Sequence, residues 1–363
     1  MLKAYKYRLY PTKEQAEYLS QVFGSVRFVW NQLVANFNEY SSCGPNRPMD
    51  EKILKDNPEY KWLNDSISYA LQQKRMDFIE TKKQFFNKNR KSKLGKMKFK
   101  KKGISNDSFR IPIASMGGAK SIDLDRGTVK LPKMTPLKMV VDRKFTGEPR
   151  SVTVSKNKSN QYFISILVEE EIVVKPRIRR SIGIDLGFID FLTLSNGMKI
   201  NNPRWFRESQ SKLAVNQRHL SRKTKGSNRY NKQKLKVAKI HQKITNQRKW
   251  FHHNLSTWLI DNFDTIICED LNIAGMKKLF GKSASDAGFA SFVSMLDYKS
   301  KWHFRSFHKV DRFYPSSKTC SNCGSIKKDL KLSDRVFICP ECSFEIDRDK
   351  NASLNLMNYG LIN

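Results

Sequence analysis

The amino-acid sequence predicts a multidomain α+β protein. An N-terminal β-barrel or sheet with a helical insertion is followed by a second domain of apolar strands and basic helices that carries a metal ribbon. Three observations lead there. Residues 2–9 (LKAYKYRL) and a series of short segments between 108 and 171 read as half-buried strands, while the stretch between them carries apolar residues at helical spacing. The pattern changes after the basic, proline-containing linker Lys175–Arg180 (KPRIRR). Finally, Cys320, Cys323, Cys339 and Cys342 are spaced C-x2-C-x15-C-x2-C, so that each pair can present two thiolates to one tetrahedral Zn²⁺.

Taken in order, the first strand ends at Pro11. Thr12 and Gln15 then form a capping-box pattern for a helix bearing Ala16, Leu19, Val22, Phe23, Val26, Trp30 and Leu33. A second helix is expected from about Ile67 to Asn87, with Ala70, Leu71, Met76, Phe78 and Ile79 in the core of the pair. Lys82 to Gly103 holds eleven Lys/Arg and no acid, with Phe85, Phe86, Leu94, Met97 and Phe99 interleaved, a composition suited to tracking a nucleic-acid backbone. Strands follow at 108–112, 128–132, 139–143, 151–156 and 161–171. In the second domain, 181–197 (SIGIDLGFIDFLTLSNG) reads as a hairpin turning at Asp185–Gly187. Residues 211–250 carry thirteen Lys/Arg and no acid, and Gly226-Ser227-Asn228 splits them into a basic helical hairpin. Thr265-Ile266-Ile267-Cys268 is a short buried strand that ends in Glu269-Asp270.

Charge narrows the function. Sixty-eight Lys+Arg against 34 Asp+Glu leave +34, where ordinary small domains lie within several charges of neutral. The usual use of such a field is phosphate neutralisation, so nucleic acid is the expected partner. The sequence holds no run of about 18 apolar residues to span a membrane. Its start, MLKAYKYRLYPTKEQ, has no apolar signal core, which points to the cytoplasm. Six cysteines, four of them in C-x2-C pairs, fit a reducing compartment. Of the other two, Cys43 has no assigned role and Cys268 reads as a core thiol.

Three acids share a setting. Asp185 ends Ile182-Gly183-Ile184, Glu269 ends Ile266-Ile267-Cys268, and Asp349 follows the ribbon just before an amphipathic helix. Carboxylates at the ends of buried strands need a cation or hydrogen bonds to offset desolvation. Brought together, three of them suit Mg²⁺ or Mn²⁺, and two such ions activate a water and stabilise the leaving oxygen in phosphodiester cleavage. Asp270 and Asp347 are nearby rivals, and Asn351 is a metal- or phosphate-orienting amide or else a helix cap.

With these residues identified, the chain resembles the TnpB family, transposon-encoded RuvC-like nucleases related to type V CRISPR effectors. The matching motifs, in family order, are YKYRLYPTKEQ, GSVRFVWN at 24–31, GIDLGFIDFLTLSNG at 183–197, ICEDLNIAGM at 267–276, SDAGFASF at 285–292, YPSSKTCSNCG at 314–324 and CPECSFEIDRDKNASLNLM at 339–357. The resemblance implies an RNA-guided DNA endonuclease that binds a transposon-derived guide RNA, recognises a short target-adjacent motif in double-stranded DNA and cuts with a single site. It makes Asp185, Glu269 and Asp349 the catalytic acids. It implies a wedge-like β-barrel at 1–10 and 104–176, with a helical recognition insertion at 11–103. An RNase H-like (RuvC) α/β nuclease domain would take 181–316 and 346–363, with the basic hairpin at 211–260 and a zinc-finger insert at 317–345. Gln72, Gln73 and Lys74, on a helix with Asp77, are similar to the residues that read the adjacent motif, though simple solvent exposure accounts for them as well. The alternatives are a non-cleaving guided repressor and a transposase or structure-selective resolvase. All three acidic positions are filled, which favours the nuclease.

Overall fold

The computed structural model describes residues 1–40, 51–87, 89, 97–104, 106–172, 174–331 and 333–362. Cys43 and Leu94 lie outside the described residues, as does most of the central part of the 82–103 basic run. The chain divides into two compact units, Met1–Glu171 and Ile172–Asn363.

The first unit comprises β1 (Leu2–Tyr10), α1 (Lys13–Tyr40), α2 (Glu51–Asp56), α3 (Ser68–Phe86), β2 (Asp107–Pro112), β3 (Ile122–Asp123), β4 (Thr128–Val129), β5 (Leu137–Val140), β6 (Glu148–Lys156) and β7 (Tyr162–Glu169). Its strands form one antiparallel sheet in the order β2-β6-β7-β1-β5-β4-β3, with β2 and β3 at the two ends of that order. Alternation fixes the faces. Tyr5, Tyr7 and Leu9 of β1 and Tyr162, Ile164, Ile166 and Val168 of β7 point into one core with Leu19, Val22, Phe23 and Val26 of α1. The capping box forms, Thr12 N donating to Gln15 Oε1 at 2.9 Å and Gln15 N to Thr12 Oγ1 at 3.3 Å. The end of the basic run is tied to α1. Trp30 Nε1 donates to Lys98 O at 3.2 Å, and Asn31 pairs with the Lys100 backbone at 2.7 and 3.0 Å. Met97 is buried there, Phe85 packs on Phe37 with ring centroids 5.9 Å apart, and Phe86 and Phe99 remain exposed.

The second unit runs β8 (Ser181–Asp185), β9 (Asp190–Leu194), β10 (Lys199–Asn201), α4 (Trp205–Ser221), α5 (Asn228–Asn262), β11 (Thr265–Glu269), α6 (Ile273–Ala287), α7 (Phe289–Trp302), β12 (Ser306–Val310), β13 (Val336–Ile338), β14 (Glu345–Asp347) and α8 (Arg348–Ile362). The main sheet has the order β10-β9-β8-β11-β12. β8, β11 and β12 are parallel, whereas β9 and β10 run antiparallel as successive hairpins. The parallel pairings need crossovers, which α4–α5 and α6–α7 supply. Ser227 Oγ caps α5 by accepting from Tyr230 N at 3.1 Å. The linker is held in place by Asp264, which accepts from Ile178 N at 2.8 Å and pairs with the buried Arg305. Arg305 in turn donates to Pro176 O at 2.9 Å.

Candidate active site and metal ribbon

β8 and β11 lie side by side in parallel with Ile184 opposite Cys268, so Asp185 and Glu269 leave the sheet at the same end, each closing its strand. The third acid arrives on a helix. A β carbon at Gly183 would sit 2.0 Å from Ser353 O and 2.8 Å from Met357 N, and one at Gly360 would sit 2.6 Å from Ile267 Cγ2. The two bare glycines therefore let α8 press its backbone onto β8 and β11, and Asp349 stands in the first turn of that helix.

The electrostatics record the result. Burial, followed by the charges of Asp349 and Glu269, pushes Asp185 up to about 7 despite the opposing Arg348 and a hydrogen bond from the Leu186 backbone. Glu269 is raised by burial and by Asp270. The rival acids are engaged elsewhere. Asp270 pairs with Arg312 at 2.6 Å, while Asp347 pairs with Lys199 at 2.8 Å and caps α8 by accepting from Lys350 N at 3.0 Å. Asp349 is paired with Arg348, whose Nη2 lies 3.2 Å from Oδ1.

The four cysteines converge. Their sulfurs all lie within 4.8 Å of one another, Cys320 and Cys342 at 3.8 Å and Cys323 and Cys339 at 3.5 Å. The Ser325 hydroxyl holds Cys339 down to about 6, while burial pushes Cys320 up to about 11. Four thiols in this arrangement fit a tetrahedral Zn²⁺. Cys268 is fully buried in β11, and burial raises its thiol to about 12, so it is an inert core residue.

Asn351 corrects the reading of an orienting amide. It is fully buried, its Oδ1 accepts from Ser321 N at 3.0 Å and its Nδ2 donates to Thr319 O at 2.7 Å. It ties the first cysteine knuckle to α8, and both ends of its amide are occupied in doing so. Asn355, one turn on, repeats the grip on Ser316 O at 2.8 Å and Thr319 O at 2.6 Å. Sequence reasoning missed Asn355, although its i,i+4 spacing from Asn351 marked one helix face. Lys74 also needs correction. It is buried and pairs with Asp77 at 2.6 Å, and Asp77 is shared with Arg110 at 3.1 Å. Gln72 is exposed and Gln73 half-buried.

Known proteins are similar in sequence to this chain over nearly its whole length. Family models match as "Probable transposase" over residues 164–279, "Cas12f1-like, TNB domain" over 289–356 and "Helix-turn-helix domain" over 1–44. A Streptomyces pristinaespiralis protein named "Putative RNA-guided DNA endonuclease" is 35% identical over 99% of this chain and 89% of its own length. The chain belongs to the TnpB family. An Escherichia coli member of similar name, InsQ, is 32% identical over 99% of this TnpB-family chain and 92% of its own. Among solved structures, Cas12f1 in a complex with guide RNA and target DNA covers 96% of this chain at 18% identity, with a TM-score of 0.54, and so shares its fold. No described helix of this family member is long and apolar enough to cross a membrane.

Proposed function

We propose that this TnpB-family chain is an RNA-guided DNA endonuclease that hydrolyses target DNA at Asp185, Glu269 and Asp349. The observation that carries this reading is the gathering of three acids, Asp185 and Glu269 at the ends of paired strands and Asp349 on the helix packed against them, where burial and then the charges of Asp349 and Glu269 raise Asp185 to about 7. A cluster in that state takes up a proton or a divalent cation near neutral pH, and a set of oxygen donors suits Mg²⁺ or Mn²⁺. When bound, such ions supply Lewis-acid activation of water and neutralisation of the leaving oxygen.

The chain's own residues do the rest. β8 and β11 fix two carboxylates at their C-terminal ends, and α8 brings the third. The strand order and directions of β8–β12 are those we assign to an RNase H-like layer. Asn351 and Asn355 couple α8 to the cysteine ribbon, so a bound Zn²⁺ holds the helix that carries Asp349. The proposal extends to the first unit as a wedge-like barrel with its helical insertion, where exposed Gln72 and half-buried Gln73 would meet the target-adjacent duplex. Guide RNA and target DNA are the partners suggested by the relatives' names, and a charge of +34 fits both.

The test is to purify the protein from its host context, sequence the RNA that copurifies, and incubate the complex with a randomised-flank target library and Mg²⁺. Cleavage of guide-matched DNA that disappears in Asp185→Ala, with RNA retained, supports the reading. Guided binding without cleavage by the wild type would make the chain a repressor, and strand-transfer products would make it a transposase.

A further inference from the structure

Phe188, in the turn that follows Asp185, packs its ring on Phe280 and on Phe289, each at 5.5 Å between centroids. Phe289 is a core residue, but Phe280 is 48% exposed and Leu279 beside it is 79% exposed. The pair sits at a break in α6, where Phe280 leaves helical geometry with φ −123° and ψ 36°. A β carbon on the next residue, Gly281, would meet nothing within 4 Å, so the space there is open. Lys278 and Lys282 flank the pair and are exposed, and α6 carries no acid before Asp286.

Large apolar side chains left in water beside a carboxylate cluster are costly unless something covers them. Rings interleaved with cations and free of acids match single-stranded nucleic acid, in which bases stack on the rings and phosphates meet the lysines. Resting on the nuclease reading above, we propose that Leu279 and Phe280 hold a nucleobase of the substrate strand next to the phosphate being cut. Phe280 is then a positioning residue. Phe188 backs it on the inner side and joins its placement to the loop that leaves Asp185.

The test pairs binding with cleavage. Single-stranded DNA oligonucleotides carrying 2-aminopurine at successive positions are titrated onto the purified protein, as wild type, Asp185→Ala, Phe280→Ala and Phe280→Tyr. Quenching at one or two adjacent positions is expected in wild type, Asp185→Ala and Phe280→Tyr, and is lost in Phe280→Ala. In the guide-loaded complex, Phe280→Ala lowers kcat/KM on matched DNA roughly ten-fold, within the range for one stacked base, with guide affinity unchanged. An abasic nucleotide at the quenched position costs the wild type the same factor and costs Phe280→Ala nothing more. Quenching that survives Phe280→Ala, or an abasic effect that adds to that of the variant, overturns the proposal. So does faster cutting of unmatched DNA by Phe280→Ala with unchanged quenching, which would make the pair a plug. If the wild type cuts no DNA, the nuclease reading fails, and the quenching arm still decides whether Phe280 stacks a base.

Discussion

His252 shows how a single residue sets a pH limit on the second unit. It is 1% exposed, its Nε2 lies 2.9 Å from Ala287 O, and its ring packs among Phe191 and Phe292 at 5.4 and 5.7 Å. A carbonyl only accepts, so Nε2 carries the proton, and burial drives the imidazole down to about 4 from its ordinary 6.5. Above pH 6.5 both folded and unfolded chains hold a neutral ring, and stability is insensitive to this group. Between 6.5 and 4 the unfolded chain binds a proton that the fold refuses, at a cost of up to about 3 kcal/mol. His252→Gln should flatten the fall in stability across that window, as read from urea melts at pH 7, 5.5 and 4.5. Asn351→Ala is expected to lose about 1–3 kcal/mol in the same melts, because it strands the half-buried Ser321 N and leaves Thr319 O to Asn355 alone. At this scale the sequence was legible where chemistry is local. Four cysteines in two tight pairs name their ion, and an acid closing a buried strand names its problem. Asn351 and Lys74 depart from the sequence reading because their burial is decided by tertiary packing. Asn351 reaches a knuckle 30 residues away, and Lys74 is buried although its partner Asp77, shared with Arg110, lies only three residues on.

Among the elements, α8 matters most to the site, and glycine decides where it lies. Gly183→Ala would force a β carbon against Ser353 O, a backbone atom that cannot rotate away, so α8 must lift from β8 and take Asp349 with it. The expected outcome is loss of cleavage with guide RNA still bound, together with destabilisation of the size typical of overpacked cores, about 1–3 kcal/mol. Gly24 in α1 is the contrast. There a β carbon would meet only Arg27 Nη2 at 3.9 Å, so Gly24→Ala should stabilise the protein by about 0.5–1 kcal/mol through helix propensity and leave cleavage unchanged. Stabilisation by Gly183→Ala would show that the close approach is not needed. Element identity was readable from period and punctuation: the Thr12–Gln15 box, the Gly226-Ser227 break, and the alternation of β1 and β7. Sheet order was not. β1 sits between β5 and β7, and β8 beside β11, through pairings across more than 75 residues, and local patterns carry no record of those partners.

For the molecule as a whole, a charge of +34 has two consequences of opposite sign in salt. Without nucleic acid, like charges repel across the fold and along 211–250, where thirteen Lys/Arg stand without a carboxylate, so screening should stabilise the protein. With RNA bound, the same cations hold phosphates, and added salt weakens the complex as counterions return, by about 0.7 of a logarithmic unit per contact on single strands for each tenfold rise in salt. Bound ligand adds stability that grows with the logarithm of its free concentration over Kd, so the complex should lose stability as affinity falls. Thermal melts from 50 to 500 mM KCl should therefore show Tm rising for the RNA-free protein and falling for the RNA-bound one. Two curves rising in parallel would mean that the basic surface is not what grips the RNA. Charge reversal at Lys232, Lys236, Lys239 and Lys243 separates the contribution of α5 from that of the first unit. It should reduce the salt slope of RNA binding while making the RNA-free protein less sensitive to salt. A variant that changes the second property alone would leave α5 as a solvated face, with the RNA held elsewhere on the chain.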